Sequence, residues 1–277
     1  RAAELGMPAV GITDHGNRHG AYELWRAAVD SGVKPIIGIE AYVTPETARQ
    51  DKTRVSWDTN WTPVPGHARN PDDVSGGGLI THLTMWAEND EGLVNLIKAS
   101  SVANLEGRVM RYPRMDKEVL STYSKGVIAS SGCPSGIIQT RLRLGQFDEA
   151  LRAAGEFQDI FGKDNFYIEL MDHGLSIESK VTGDLLTIAK KLGAPLLATN
   201  DSHYVMEADK DAQDAMLCIN SGATLDDPNR FKFEGSGYYI KSAEEMRELF
   251  KDHPDACDNT LELSLIHISE PTRPRLI

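Results

Sequence analysis

Six side chains that can bind metal ions lie where short apolar segments of the chain give way to polar residues. Each offers an imidazole, a carboxylate or a thiol, and the six are His15, Glu40, His82, Cys133, Asp201 and His203. These groups are the donors that zinc, iron and manganese take from proteins. A site that holds two or three such metals can stabilise both the attacking and the leaving oxygen when a phosphoester is hydrolysed. The set therefore predicts a metal-dependent hydrolytic site.

Each member of the set also has an ordinary explanation. A histidine after a strand is more often a loop or capping residue than a ligand, and Cys133 alone would be a core thiol. Asp14, beside His15, could cap the turn that follows it. Glu40 lies in an apolar segment, where a buried carboxylate is costly without a cation or partner. The joint occurrence of six donors favours the metal site, and His173 is left out of it.

Apolar strands that alternate with amphipathic helices must position these donors. The pattern predicts strands over residues 8–12, 35–39, 78–81, 126–130, 166–170 and 195–199. It also predicts helices near residues 20–31, 92–97 and 178–192. Such alternation is typical of a parallel β/α barrel or a doubly wound sheet. All six strands carry polar residues just past their C-terminal ends, which favours the barrel, because barrels assemble their active sites there.

Other segments carry more local predictions. Asp201 and His203 are two residues apart, so both can point the same way if the strand continues through them. Residues 44–78 read as a long excursion, either a hairpin or a partner-facing loop. Downstream we expect a helix at 209–220, a strand at 238–240 and a helix at 242–250. Ser242 and Glu245 are three apart and predict a capping box at the start of that last helix.

Composition narrows the function classes. The 277 residues carry 29 Lys and Arg against 41 Asp and Glu, a net charge of −12. A module that grips a nucleic-acid backbone alone is normally basic, so a stand-alone DNA-binding module is disfavoured. No apolar run approaches the roughly 18 residues of a membrane-spanning helix. Three cysteines are too few and too scattered for a disulfide framework and fit a cytoplasmic location.

Eight blocks of this sequence closely resemble the polymerase and histidinol phosphatase (PHP) domain of bacterial DNA polymerase III alpha subunits. The blocks occur in the same order and are residues 8–16, 35–42, 81–85, 132–136, 169–174, 198–204, 227–233 and 237–242. The resemblance implies a distorted seven-stranded β/α barrel with up to three divalent metals. Zinc is the usual metal, and manganese or iron is the alternative. It places the ligand positions at His15, Glu40, His82, Cys133, Asp201 and His203.

The resemblance also implies a function and leaves alternatives to it. Members that keep all ligands act as 3′-to-5′ proofreading exonucleases, with Asp201, His203 and His82 as the expected catalytic residues. The expected partners are primer-template DNA and other replisome subunits, such as the sliding clamp, with no membrane. One alternative is a catalytically silent PHP domain that stabilises the polymerase. A stand-alone phosphatase of histidinol-phosphate type is disfavoured by the polymerase-like blocks after His203.

Both ends of the chain are expected to be artificial. The family's first strand carries a His-x-His pair followed by an Asp, and this chain begins after them, so we expect that strand to be missing. Residues 1–205 are expected to form the barrel core, and residues 206–262 the C-terminal part that leads toward a polymerase palm. Residues 263–273 resemble the translation of a sequencing-library adaptor. Residues 263–277 are therefore expected to be a non-native tail.

Overall fold

A computed structural model of the protein describes residues 1–63 and 70–265. The strands in this part of the chain are β1 (Ala9–Ile12), β2 (Lys34–Val43), β3 (Thr81–Ala87), β4 (Arg114–Met115), β5 (Val127–Ser130), β6 (Phe166–Leu170) and β7 (Leu196–Ala198). The helices are α1 (Ala21–Asp30), α2 (Ser75–Gly78), α3 (Asp90–Glu106), α4 (Lys117–Thr122), α5 (Ile137–Arg143), α6 (Phe147–Phe161), α7 (Ser176–Leu192), α8 (Lys210–Ser221), α9 (Ala243–Leu249) and α10 (Pro254–Leu265). A 3₁₀ turn, Glu207–Asp209, precedes α8.

The strands form one curled sheet with the order β1-β2-β3-β5-β6-β7, and the short β4 pairs with β2. The pairs β1–β2, β5–β6 and β6–β7 are parallel. Helices cover the outside of the curl, so the sheet is a half-barrel. This architecture confirms the distorted PHP-type β/α barrel that the resemblance implied.

Side chains alternate between the two faces of the sheet, as the pleat requires. On β2, Ile39 and Ala41 are fully buried in the large core beneath the helices. Ile36 belongs instead to a smaller cluster on the concave face, with Trp86, Ile128, Tyr167, Leu197 and Leu263. Glu40 is four residues from Ile36 and therefore shares the concave face. The inside of the curl is thus partly apolar and partly carries the polar residues of the site.

One strand runs against the predicted direction. Of the predicted strand 78–81, residues 78–80 are not in a strand, and β3 begins at Thr81. It pairs antiparallel with both β2 and β5, so the prediction of a wholly parallel sheet was wrong. His82 lies at the start of β3 and not beyond the end of a strand. Because β3 is antiparallel, its start lies at the same edge as the C-terminal ends of β2 and β5, and His82 still reaches the site.

The C-terminal segment follows its predicted helices but not its predicted strand. Helices α8 and α9 lie within one residue of the predicted bounds. Ser242 and Glu245 make the predicted capping box. Residues 238–240 form no strand beyond a single bridge between Tyr239 and Tyr204. The reason is local, since the amide of Asn200 donates to the carbonyls of Gly237 and Tyr239 that a neighbouring strand would otherwise use.

The excursion over residues 44–78 packs against the barrel. Its described parts, 44–63 and 70–78, contain no strand and only the single turn α2, so they form no hairpin. The guanidinium of Arg141 on α5 lies 3.8 Å over the ring of Trp57. The carboxylate of Asp73 accepts from the backbone nitrogen of Trp57 at 2.9 Å. Residues 64–69 lie outside the described part of the chain.

Helix α10 packs against β7 and extends past the predicted boundary at Glu262. Leu263 is buried in the concave-face cluster, and the ammonium of Lys34 donates to the carbonyl of Ser264 at 2.6 Å. The apolar face that begins with Ala256 and Cys257 continues through Leu263 at helical spacing, so the helix continues there. The predicted tail beyond residue 265 lies outside the described residues. Across the described ranges, no helix is long and apolar enough to cross a membrane.

Candidate metal centre

The carboxylate of Glu40 is the centre of a compact group of donor atoms. Its Oε1 lies 2.6 Å from Nδ1 of His82 and 3.4 Å from Sγ of Cys133. Its Oε2 lies 3.3 Å from Nδ1 of His15. Cys133 Sγ is also 3.4 Å from His82 Nδ1. Four of the six predicted ligands therefore meet at one point on the concave face.

Backbone pairing past the end of β1 positions His15. The nitrogen of Glu40 donates to the carbonyl of Asp14 at 3.1 Å, and the nitrogen of Gly16 donates to the carbonyl of Glu40 at 2.8 Å. Gly16 has φ 65°, and a Cβ there would lie 2.6 Å from the ring of Tyr42. A side chain at this position would be both strained and in collision. Glycine after His15 thus lets the loop approach β2 closely enough to bring the imidazole to Glu40.

His82 and Cys133 reach the group from the other side of β2. His82 pairs with Tyr42 across the antiparallel ladder, which makes it the diagonal neighbour of Glu40 on the same face. The nitrogen of His82 also donates to the carbonyl of Ser135 at 3.1 Å. That bond holds the loop after β5, and with it Cys133, against the start of β3.

Asp201 and His203 form a second pair across the ring of His15. Nε2 of His203 lies 3.4 Å from Oδ1 of Asp201, and the His203 ring centroid is 6.1 Å from that of His15. The strand does not continue through them, since β7 ends at Ala198 and Asp201 has φ 42°. The two side chains meet on an irregular segment, which is held by the bond from the His203 nitrogen to the carbonyl of Tyr238 at 2.8 Å.

The electrostatics of the group favour a charged Glu40. Burial alone would raise the pKa of this carboxyl, but the hydrogen bond and charge of His82, with the charge of His15, lower the pKa to about 2. Burial raises the pKa of the Cys133 thiol well above its usual value, and the negative charges of Glu40 and Asp201 add to this. Burial opposes protonation of His203, yet its bond to Asp201 raises its pKa. The carboxylates of Glu40 and Asp201 thus favour positive charge beside them, which a metal cation would also supply.

Asp14 and His173 have structural roles. Oδ2 of Asp14 accepts from the nitrogen of Gly20 at 2.7 Å, immediately before α1, so Asp14 caps the turn. Nδ1 of His173 lies 2.5 Å from Oε1 of Glu178, and its Nε2 lies 2.9 Å from the carbonyl of Asn200. Both ring nitrogens are therefore engaged within the protein. His173 has no nitrogen left for a metal.

Glu169 is a site residue that the sequence reasoning missed. It is 2% exposed on the concave face of β6 and lines the same cavity as the metal-binding group. Ser130 donates to one carboxylate oxygen, and Thr199 donates to the other at 2.5 Å. Burial raises the pKa of Glu169 to about 7 despite these bonds, and the charges of Asp201 and Glu40 contribute to the increase. Glu169 is a carboxylate within an apolar strand, two residues after Tyr167. A carboxylate in an apolar strand is also the signal that singled out Glu40.

The raised pKa of Glu169 predicts a pH-dependent stability. The folded protein holds a proton there that the unfolded chain releases near pH 4.5. The free energy of unfolding should therefore fall as pH rises from about 4.5 to 7, by up to about 3 kcal/mol. Urea unfolding of metal-chelated protein across this range measures it. Glu169→Gln should remove this component of the pH dependence, and an identical profile in the variant would contradict the assignment.

A cavity of about 720 Å³ opens from the group toward β1, β7 and α10. His15, Glu40, Cys133, Asp201 and His203 contribute to its walls. The cavity is large enough for a small ligand or the end of a chain. The arrangement therefore combines clustered donors with access for a substrate.

The donor set fits a divalent transition metal. One donor atom each from His15, Glu40 and His82 lies within 4.8 Å of the others, and Cys133 adds a thiol to them. Nitrogen, oxygen and sulfur donors in such proximity suit zinc, and also iron or manganese where oxygen and nitrogen dominate. The buried carboxylate and thiol would gain a compensating cation.

Comparison with known proteins identifies the family of the chain. The model of the PHP domain matches residues 1–173. Among curated relatives, DNA polymerase III subunit alpha of Mycobacterium leprae is 53% identical over 93% of this chain. The proteins of that name from Saccharopolyspora erythraea and Borreliella burgdorferi are 54% and 39% identical over 94% and 95% of it. The chain spans 21–22% of the length of these relatives. With its half-barrel and its clustered donors, the chain belongs to the PHP domain family.

Proposed function

We propose that this chain is the PHP domain of a bacterial replicative DNA polymerase alpha subunit and that its metal centre hydrolyses the 3′-terminal phosphodiester of DNA. The observation that carries the proposal is the contact of Glu40 with His15, His82 and Cys133 at the wall of an accessible cavity. The relatives are named as DNA polymerase subunits, which suggests DNA as the substrate. Hydrolysis of the 3′-terminal phosphodiester would remove a mispaired nucleotide from the primer.

The residues divide into two groups in this proposal. His15, Glu40, His82 and Cys133 would hold one metal, and Asp201 and His203 would contribute to further metal sites beside it. We favour zinc, with up to three ions, and manganese or iron as alternatives. Such ions, when bound, polarise the phosphate and generate a nucleophile from water at neutral pH. Asp201, His203 and His82 are the side chains that we assign to the part of the centre facing the scissile bond.

The same proposal defines partners and location. Primer-template DNA would reach the centre as an unpaired 3′ end. Other replisome subunits, including the sliding clamp, would bind through parts of the polymerase beyond this domain. Three free cysteines suit the reducing cytoplasm where replication takes place. A stand-alone phosphatase is disfavoured, because the similarity to polymerase subunits extends over 258 residues, well beyond the PHP match.

Metal analysis and a nuclease assay test the proposal on a full-length alpha subunit that carries this sequence. We expect bound zinc and the release of a mismatched 3′ nucleotide, lost on chelation and restored when zinc or manganese is added. Polymerisation should be scored separately on a matched primer. Metal bound at this centre without any 3′ hydrolysis would instead identify a silent domain that stabilises the polymerase.

A further inference from the structure

A continuous series of aromatic rings runs through the metal centre by way of His15 and His203, whose ring centroids are 6.1 Å apart. On one side, Tyr42 stacks on His15 at 6.0 Å, and Tyr112 meets Tyr42 edge-on at 5.1 Å. On the other side, His203 is followed by Phe233 at 4.5 Å and then by Phe231 at 5.6 Å. The last two rings lead from the centre to the protein surface. We call Phe231 and Phe233 the phenyl step.

In the phenyl step, Phe231 is exposed, Phe233 is partly buried, and the segment that carries them is fixed. Phe231 is 63% exposed, although a phenyl ring gains by burial. The adjacent Arg230 makes two bonds to the carboxylate of Asp214, at 2.5 and 2.6 Å, and a third to the carbonyl of Leu225 at 3.1 Å. Phe233 packs on Tyr238 at 4.7 Å. The segment is therefore anchored on both sides of Phe231, and the ring is held in solvent by defined contacts.

The surroundings of the ring suit a nucleic-acid strand better than an apolar protein face. Lys232, between the two phenylalanines in the sequence, is exposed, and its ammonium can pair with a phosphate. Arg111 lies over the ring of Tyr112 at 5.4 Å at the other end of the series. Aromatic rings that alternate with cations are the usual means of binding single strands, because every base has a π-face and every nucleotide a phosphate.

We propose that the phenyl step is a stacking site for the unpaired bases at the 3′ end of single-stranded DNA. This inference rests on the proposed function, since it names how that substrate is held. An unpaired terminal base loses its stacking partners in the duplex, and Phe231 and Phe233 would replace them. Because Phe233 contacts His203, a base on this step would place its phosphate toward the metal-binding group.

The test uses a single-stranded oligonucleotide with 2-aminopurine at its 3′ end and the metal-chelated full-length subunit, so that no cleavage occurs. Stacking of 2-aminopurine on a ring quenches its fluorescence. We expect quenching with the unchanged protein. Phe231→Ala should reduce it and weaken binding about fivefold or more. Phe231→Trp should retain both. Ile97→Ala is the matched control, since Ile97 is 45% exposed on α3, which begins at the opposite end of the sheet.

An oligonucleotide with an abasic 3′ nucleotide separates stacking from a general effect of the substitution. With it, the unchanged protein and Phe231→Ala should bind equally. A difference that persists with the abasic end, or equal quenching in Phe231→Ala, would overturn the inference. Quenching that depends on Phe231 without any hydrolysis after metal is restored would reject the nuclease proposal and keep the stacking site. Hydrolysis together with quenching that does not depend on Phe231 would keep the nuclease proposal and reject the stacking site.

Discussion

Replacing Glu40 with glutamine in the full-length subunit is expected to remove most of the bound metal and to slow 3′-mismatch hydrolysis by at least about 100-fold. Glu40 contacts His15, His82 and Cys133 at once, so no other side chain in the described part of the chain is as central to the group. Glutamine keeps the shape but not the charge, and its amide can turn an N–H toward the imidazoles. Metal content per chain and the rate of mismatch removal measure the effect, while matched-primer extension should persist.

A second buried carboxylate provides the matched control. Glu178 also pairs with a histidine, His173, at 2.5 Å, and both side chains are at most 5% exposed. This pair does not line the cavity. Glu178→Gln should therefore lower stability while it keeps metal and nuclease activity. If Glu40→Gln retained full metal and full hydrolysis, the centre would lie elsewhere.

The side-chain types at the site could be predicted from sequence, whereas the directions of the elements could not. Glu40 stood out because a carboxylate in an apolar strand needs a partner. His82 was expected after a parallel strand and instead begins an antiparallel one. Both topologies bring it to the same edge, so the local sequence contained no signal to separate them. Strand direction depends on pairing between distant segments, which a single sequence does not display.

Glu169 and Arg114 show a different limit. Both are buried ionisable residues, and each bonds to groups far away in the sequence. Glu169 bonds to Ser130 and Thr199, which are 39 and 30 residues distant. Apolar neighbours identify such residues as buried, but only the fold reveals whether the compensation comes from a metal, a hydroxyl or a backbone carbonyl. Sequence reasoning therefore singled out the candidate donors and not their supporting residues.

Arg114→Met is expected to lower the free energy of unfolding by about 3 to 5 kcal/mol. The side chain is fully buried at the start of β4. Its guanidinium donates to the carbonyls of Leu79, Gly107, Arg49 and Asp51, at 2.6 to 3.3 Å. Burial lowers its pKa, with the charge of Asp51 as a partial offset. Methionine fills much of the volume but leaves these carbonyls without the guanidinium donor, and those of Leu79 and Gly107 belong to buried residues.

The loss of stability should be concentrated in residues 44–63 of the excursion, because two of the four carbonyls belong to Arg49 and Asp51 there. Urea unfolding gives the total effect, and hydrogen exchange in that segment should accelerate more than in β5 or β6. Arg108→Met, at an exposed arginine just before the same strand, should stay within about 0.5 kcal/mol. Arg114→Lys should recover only part of the loss, since one ammonium cannot reach four carbonyls in a planar arrangement. If Arg114→Met unfolded at the same urea concentration as the unchanged protein, these hydrogen bonds would not be what holds the excursion to the barrel.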